Sequence, residues 1–317
     1  MKALVATDYG TPPKVALADI ANPTAGPGQV LVRVEAAALN PFDLALIGGA
    51  MREMMPLTFP FVVGMDAAGT VAALGEGVTG FAVGDPVLGW SGFASGTAAE
   101  YAVIPDGLEL AKRPAGLDAV RAAAIPESGV TAAHLLRAAE VQPGQKVLVI
   151  GATGGVGMFA VQLAIAAGAE VIATARPADR DFVHRLGTLQ VVDYTAGDVA
   201  DMVLARYPGG VDVVIDVANR GPDVLASARA ARHGGRLVSP LGGPTDLGRD
   251  VSAIYIGQKQ AVPGVLGDLA ARAASGKLLV EVGATYPLAE GPQAVEDFAT
   301  KHRRGKTVIL VGSSPAA

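Results

Sequence analysis

Val147-Leu148-Val149-Ile150-Gly151-Ala152-Thr153-Gly154-Gly155-Val156-Gly157 sets an unbroken apolar run directly before a cluster of glycines. Such a run suits a strand buried on both faces, and Met158 to Ala167 continues in small and apolar residues as a helix would. Gly151 and Gly154 are expected to relieve backbone crowding in the turn, and Gly157 to let the helix lie close to the strand. The N-terminus of that helix offers free N–H groups and a positive dipole end, which suit a pyrophosphate. The bare G-x-x-G-x-x-G spacing would equally serve a tight packing turn. The strand before it and the helix after it favour dinucleotide binding. Val147 to Ala169 carries no charge and is long enough to span a bilayer, but its glycines divide it into strand, turn and buried helix.

Outward from this turn, short apolar runs alternate with helix-like segments: Lys146–Ile150, Glu170–Ala175, Gln190–Val192, Val211–Val217 and Arg236–Ser239. That alternation predicts a parallel, doubly wound sheet, an α/β architecture covered on both faces. A helical stretch over Val130 to Ala139 stops before Pro143-Gly144. The first ~120 residues read differently, with an alternating strand at Leu31 to Glu35 and dense turn punctuation, as in a small barrel or sandwich. After Gly276 come a strand, a helix and the strand Thr307 to Val311, whose sheet the pattern leaves open.

The end of the second parallel strand selects the cofactor. NAD sites place a carboxylate there and NADP sites place cations. Here Arg176 follows the strand, with Arg180 one turn on, so NADPH is favoured. Asp179 and Asp181 could fold back on either arginine, and a solvated surface Arg176 is the plain alternative.

Composition narrows the classes. The chain has 317 residues, 50% of them hydrophobic and 17% charged, and a net charge of −5. Disorder is excluded, and nucleic acid or an anionic membrane is disfavoured as a partner. The absence of cysteine removes disulfides, thiolate metal sites and a cysteine nucleophile. The stretch Met1 to Asp8 meets a charge before any signal-peptide core could form, so a cytoplasmic protein is expected.

Asn40-Pro41-Phe42-Asp43, Gly64-Met65-Asp66-Ala67-Ala68-Gly69-Thr70-Val71, Gly75-Glu76-Gly77-Val78 and Gly84-Asp85 resemble the zinc-independent branch of the medium-chain dehydrogenases/reductases. Within that branch they resemble the NADPH:quinone oxidoreductases, or zeta-crystallin-like enzymes. Gly129-Val130-Thr131-Ala132, the glycine turn, Asp193-Tyr194, Asp212 to Asp216, Gly234-Gly235-Arg236 and Gly305-Lys306 continue the resemblance in family order. It implies a GroES-like β-barrel catalytic domain at 1–120, a Rossmann NADPH-binding domain at 121–275 and a C-terminal return to the first domain at 276–317. A cleft between the domains would hold the cofactor, and a homodimer is expected.

The same resemblance implies site residues. Asn40 would orient the substrate or nicotinamide, or else cap a turn. Thr131 would meet a phosphate, or cap its helix. Ala152, Thr153, Gly154, Gly155, Val156 and Gly157 would surround the pyrophosphate. Tyr194 would reach the 2′-phosphate beside Arg176 and Arg180, or pack on the surface. Val217, Ala218 and Leu241 would flank the dinucleotide. Asn40, Met65 and Ser128 stand where zinc-dependent relatives place ligands, and an amide, a thioether and a hydroxyl make no tight zinc site, so no metal is expected.

Without a metal, a conjugated carbonyl or quinone is the natural hydride acceptor. The substrate is therefore expected to be small, apolar and electrophilic. Trp90, Phe93 and Tyr255 are candidates for its pocket, with ordinary packing as the alternative. Ala45 and Ile47 replace a tyrosine and an arginine frequent in quinone reductases, and Glu127 replaces an apolar residue. These departures keep two other functions open. One is an enoyl-thioester reductase using the basic cluster Lys301, Arg303 and Arg304; the other is a non-catalytic NADPH-binding structural or sensor protein.

Overall fold

Short strands open the chain. β1 (Lys2–Asp8) pairs antiparallel with β2 (Lys14–Asp19) in a small three-stranded sheet. β3 (Gln29–Leu39) buries Val30, Val32 and Val34 while Arg33 points out, which is the alternation expected of a half-buried strand. Burying each such side chain contributes about 1.5–3 kcal/mol. The helix α1 (Pro41–Ile47) follows, then β4 (Phe61–Val62), which joins β1, β5 (Asp66–Leu74), β6 (Pro86–Trp90), β7 (Tyr101–Pro105) and β8 (Leu110–Lys112). After α2 (Ala119–Ala123) comes α3 (Pro126–Ala139). It starts four residues before the predicted Val130, because a proline at the first helical position has its φ already set and no N–H to lose.

The parallel sheet comes next: β9 (Lys146–Ile150), α4 (Gly155–Ala166), β10 (Glu170–Ala175), α5 (Arg180–Arg185), β11 (Gln190–Asp193), α6 (Val199–Arg206), β12 (Val211–Asp216), α7 (Val224–Ala228), β13 (Ala231–Ser239) and β14 (Ser252–Tyr255). Its order is β11-β10-β9-β12-β13-β14, parallel throughout. Strand order reverses between β9 and β12, where open α/β sheets leave a crevice at the carboxyl edge. β13 begins earlier than expected. A register shift opposite Val211 and Val213 absorbs the Gly234-Gly235 pair that reads locally as a turn. The uncharged stretch after Val147 is strand, turn and α4, and among the described residues no helix is long and apolar enough to cross a membrane.

The chain ends with α8 (Val265–Ala274), β15 (Val282–Pro287), α9 (Gly291–Thr300) and β16 (Lys306–Leu310). β16 pairs antiparallel with β3, and β15 lies parallel to β16. A seven-stranded sheet results, running β15-β16-β3-β5-β6-β8 with β7 also on β3. This computed structural model describes residues 1–92, 96–107, 110–257 and 262–312. It divides into one unit of Met1–Ser128 with Ala261–Ala317, and another of Gly129–Gln260. The first has its core around Leu4, Val32, Leu39, Ile104 and Ile309, the second around Leu148, Ile172, Val214 and Leu237. The architecture is α/β: one unit is a GroES-like domain, the other a doubly wound parallel sheet.

Candidate active site

In the second unit the glycine turn follows β9. Gly151 has φ +85, a conformation that a side chain would strain, and its N–H donates to Thr174 Oγ1 at 3.1 Å. Gly157 needs its bareness for another reason: a Cβ there would strike the Gly151 carbonyl. Gly154 departs from the expectation of crowding. Its φ is −81, and a Cβ would come no nearer than 3.5 Å to the Gly151 oxygen. Protein packing therefore leaves a side chain room at Gly154, and the open side of the turn lies there. Ala152 is fully buried and Thr153 is 5% exposed, whereas Gly154, Gly155 and Val156 keep part of their surface open. As first-turn residues of α4, Gly155 and Val156 have N–H groups without intrahelical acceptors.

The other expected residues gather along the same carboxyl edge. Ala175 and Asp193 are register partners, so Arg176 and Tyr194 leave adjacent strands side by side. Arg176 Nε donates to the Tyr194 hydroxyl at 2.7 Å, with the guanidinium 5.9 Å from the ring centroid. That bond uses one corner of an exposed fork and leaves its terminal amino groups out of the pairing. Arg180, exposed at the start of α5, adds positive charge that helps lower the Asp193 carboxyl, after the hydrogen bonds from Thr195. Val217 and Ala218 face Gly151, and Asp216, fully buried, accepts the N–H groups of Ala218 and Asn219 and so fixes that loop. Leu241, 38% exposed, follows β13.

Thr131 is 7% exposed on α3, with no hydrogen bond to the turn among the described residues. Tyr255, half-buried against the core of the second unit, donates to the Pro244 carbonyl at 2.8 Å, and burial pushes its hydroxyl up. Phe93 lies outside the described residues.

In the first unit, one end of the seven-stranded sheet carries a buried polar cluster. Thr307 pairs with Leu39, Ala38 with Asp66, and Asp66 with Trp90, so neighbouring strands bring Lys306, Asn40, Asp66 and Trp90 to one end. Asn40 sits at the start of α1, where Asp43 Oδ2 accepts its backbone N–H at 2.7 Å. Asn40 and Asp43 thereby form a capping box, the turn cap that sequence left open. The Asn40 side chain also joins the cluster: Nδ2 donates to Asp66 Oδ2 at 3.0 Å, and Oδ1 accepts from Lys306 Nζ and Ser128 Oγ. Asp66 also accepts the Glu127 N–H at 2.9 Å. Asp43 is 2% exposed; burial, then the nearby charge of Glu127, hold its carboxyl well above the usual range. Lys306 and Asp66 had no assigned role in the sequence. The available signal was a charge abutting a buried apolar run, which demands a partner.

Residues 26–115 match a family model described as the alcohol dehydrogenase GroES-like domain, and residues 155–260 match one described as zinc-binding dehydrogenase. The chain is 33% identical to the quinone oxidoreductase of Sus scrofa over 98% of its length and 97% of that protein's. The chain belongs to the medium-chain dehydrogenase and quinone oxidoreductase family. As a member it is an oxidoreductase. A second family relative, the chloroplastic NADPH-dependent alkenal/one oxidoreductase of Arabidopsis thaliana, is 31% identical over 98% of this chain and 79% of its own. The solved structure of the quinone oxidoreductase from Coxiella burnetii superposes with a TM-score of 0.87 at 30% identity, covering 98% of this chain and 99% of that one.

The family description names zinc, and the residues here do not fit it. The positions that would hold the ion carry an amide and a hydroxyl, and both already bond an ammonium whose charge repels a second cation. Among the described residues no group of three His, Cys, Asp or Glu side chains could hold a metal.

Proposed function

We propose that the protein reduces quinones or α,β-unsaturated carbonyls with NADPH, without a metal ion. The observation that carries this reading is the exposed Arg176 fork, steadied by Tyr194, on the same strand edge as the free N–H groups of Gly155 and Val156. Those N–H groups and the dipole of α4 suit the pyrophosphate, and Arg176 with Arg180 suits the doubly charged 2′-phosphate. A dinucleotide with a free 2′-hydroxyl would leave both cations without a ligand partner. When bound, the reduced nicotinamide supplies a hydride.

The protein has then to orient the acceptor and stabilise charge on its oxygen. Hydride adds to the β-carbon or the quinone ring, and the displaced electron pair moves to the carbonyl oxygen. An N–H of the Asn40 side chain donates to that oxygen, and water supplies the proton that completes the product. The donor set of the first unit gives a simple ketone little polarisation, which favours conjugated acceptors.

The enoyl-thioester alternative called on Lys301, Arg303 and Arg304 as a groove for phosphate. All three are paired: Lys301 and Arg303 with Asp297 at 2.8 and 2.9 Å, Arg304 with Glu281 at 2.8 Å. A stopped-flow screen of naphthoquinones, small enones and crotonyl-CoA, following loss of nicotinamide absorbance, tests the proposal. Faster oxidation of NADPH than of NADH by quinones or enones is expected. Tight NADPH binding with no oxidation by any acceptor would sink it.

A further inference from the structure

Lys306 is 3% exposed, and a buried ammonium persists only where acceptors surround it. Its Nζ donates to Asn40 Oδ1 and to Ser128 Oγ, the latter at 3.2 Å, and lies 3.6 Å from Asp66 Oδ2. An ammonium has donors alone, so the Asn40 atom facing it is the oxygen. An ionised carboxylate accepts only, so the atom facing Asp66 is the nitrogen. A cation on one side and an anion on the other thus fix a single orientation of the Asn40 amide. Its NH2 group has two hydrogens, and the bond to Asp66 uses one.

We propose that Lys306 is a positioning residue for hydride transfer, a tethered cation that locks the Asn40 amide and polarises it so that its second N–H becomes a stronger donor to the acceptor oxygen. The inference rests on the role given to Asn40 under Proposed function. Charge on the amide oxygen draws electron density from the nitrogen, and in a buried, low-dielectric setting that polarisation is poorly screened. Lys306 touches neither acceptor nor cofactor in this role. It acts through Asn40.

Two double-mutant cycles test it. Lys306→Met alone removes an ammonium from beside the buried Asp66 and endangers the fold, so it is accompanied by Lys306→Met/Asp66→Asn, which removes both side-chain charges. That variant is expected to melt within a few degrees of wild type and to bind NADPH within about twofold, with kcat for a quinone down about tenfold or more. In an Asn40→Ala background, the same charge-free pair of changes should cost no further kcat, because the group Lys306 acts through is gone. A charge-free double variant with wild-type kcat overturns the proposal. So does an equal kcat loss with and without the Asn40 side chain.

The second cycle uses urea unfolding and no acceptor. Asn40→Ala and the charge-free pair Lys306→Met/Asp66→Asn are expected to be strongly non-additive, and additive losses overturn the contact on which the inference stands. Failure of the quinone reading shows differently, as a wild-type protein that no acceptor oxidises, while the unfolding cycle still reports on Lys306 and Asn40.

Discussion

Gly157 turns its bare α-carbon onto the carbonyl oxygen of Gly151, so that β9 and α4 meet with no side chain between them. Gly154, between the two, has no such neighbour. Gly151, Gly154 and Gly157 therefore answer different demands, two from the fold and one from whatever lies over the turn. Gly157→Ala should destabilise the protein by about 1–3 kcal/mol or more through overpacking. Gly154→Ala should fold with an unchanged melting temperature and bind the dinucleotide at least about tenfold more weakly, a loss near 1.4 kcal/mol. Thermal melts and fluorescence titrations with NADPH separate the two. Unchanged affinity in Gly154→Ala would remove the turn from the cofactor site.

Arg176 and Tyr194 make a prediction about cofactor choice. Arg176→Ala should weaken NADPH binding by about 10–100-fold, the worth of a lost charge-assisted hydrogen bond, and NADH binding by about twofold at most. Tyr194→Phe removes only the hydroxyl that steadies the fork and should cost NADPH a smaller factor. Dissociation constants for both dinucleotides decide it, since equal losses for NADPH and NADH would place Arg176 away from the 2′-phosphate.

Asp43 gives stability a pH dependence. Burial first, and then the charge of Glu127, hold its carboxyl well above the ordinary value of 3.8. Between those two values the unfolded chain has released its proton and the folded protein keeps it, so wild-type stability falls as pH rises through that window. Asp43→Asn does not titrate and still offers an oxygen to the Asn40 N–H. Urea midpoints at about pH 4.5 and about pH 8 should therefore show the variant gaining on wild type as pH rises. Parallel pH curves would mean that Asp43 is ionised in the fold.

The amide, hydroxyl and ammonium grouped at Asn40, Ser128 and Lys306 make a prediction about metals. Dialysis against EDTA should leave quinone turnover unchanged, and added Zn²⁺ should not raise it. Activity lost to the chelator and restored by Zn²⁺ would overturn the metal-free mechanism.

Local pattern carried much of the fold. β9 and β10 run over Lys146–Ile150 and Glu170–Ala175 as their apolar runs imply, because a strand buried on both faces needs an unbroken hydrophobic stretch. The glycine turn was legible because φ > 0 at Gly151 and the contact of Gly157 with Gly151 are demands met within a few residues of chain. Arg176 was legible for a similar reason: its place just past a strand is a local fact.

The polar cluster was not legible in this way. Lys306 and Asn40 stand 266 positions apart, and a lysine beside an arginine-rich segment reads as a solvated charge. Only the register of β16 against β3, and of β3 against β5, delivers its ammonium to Asn40 and Asp66. Sequence by itself determined which segments become strands, where the glycine turn falls and which side chains are available, since those follow from neighbouring residues. Tertiary pairing decided which sheet receives the last strand and which charges are buried together, because burial and counter-charge depend on residues that meet only after the chain has folded.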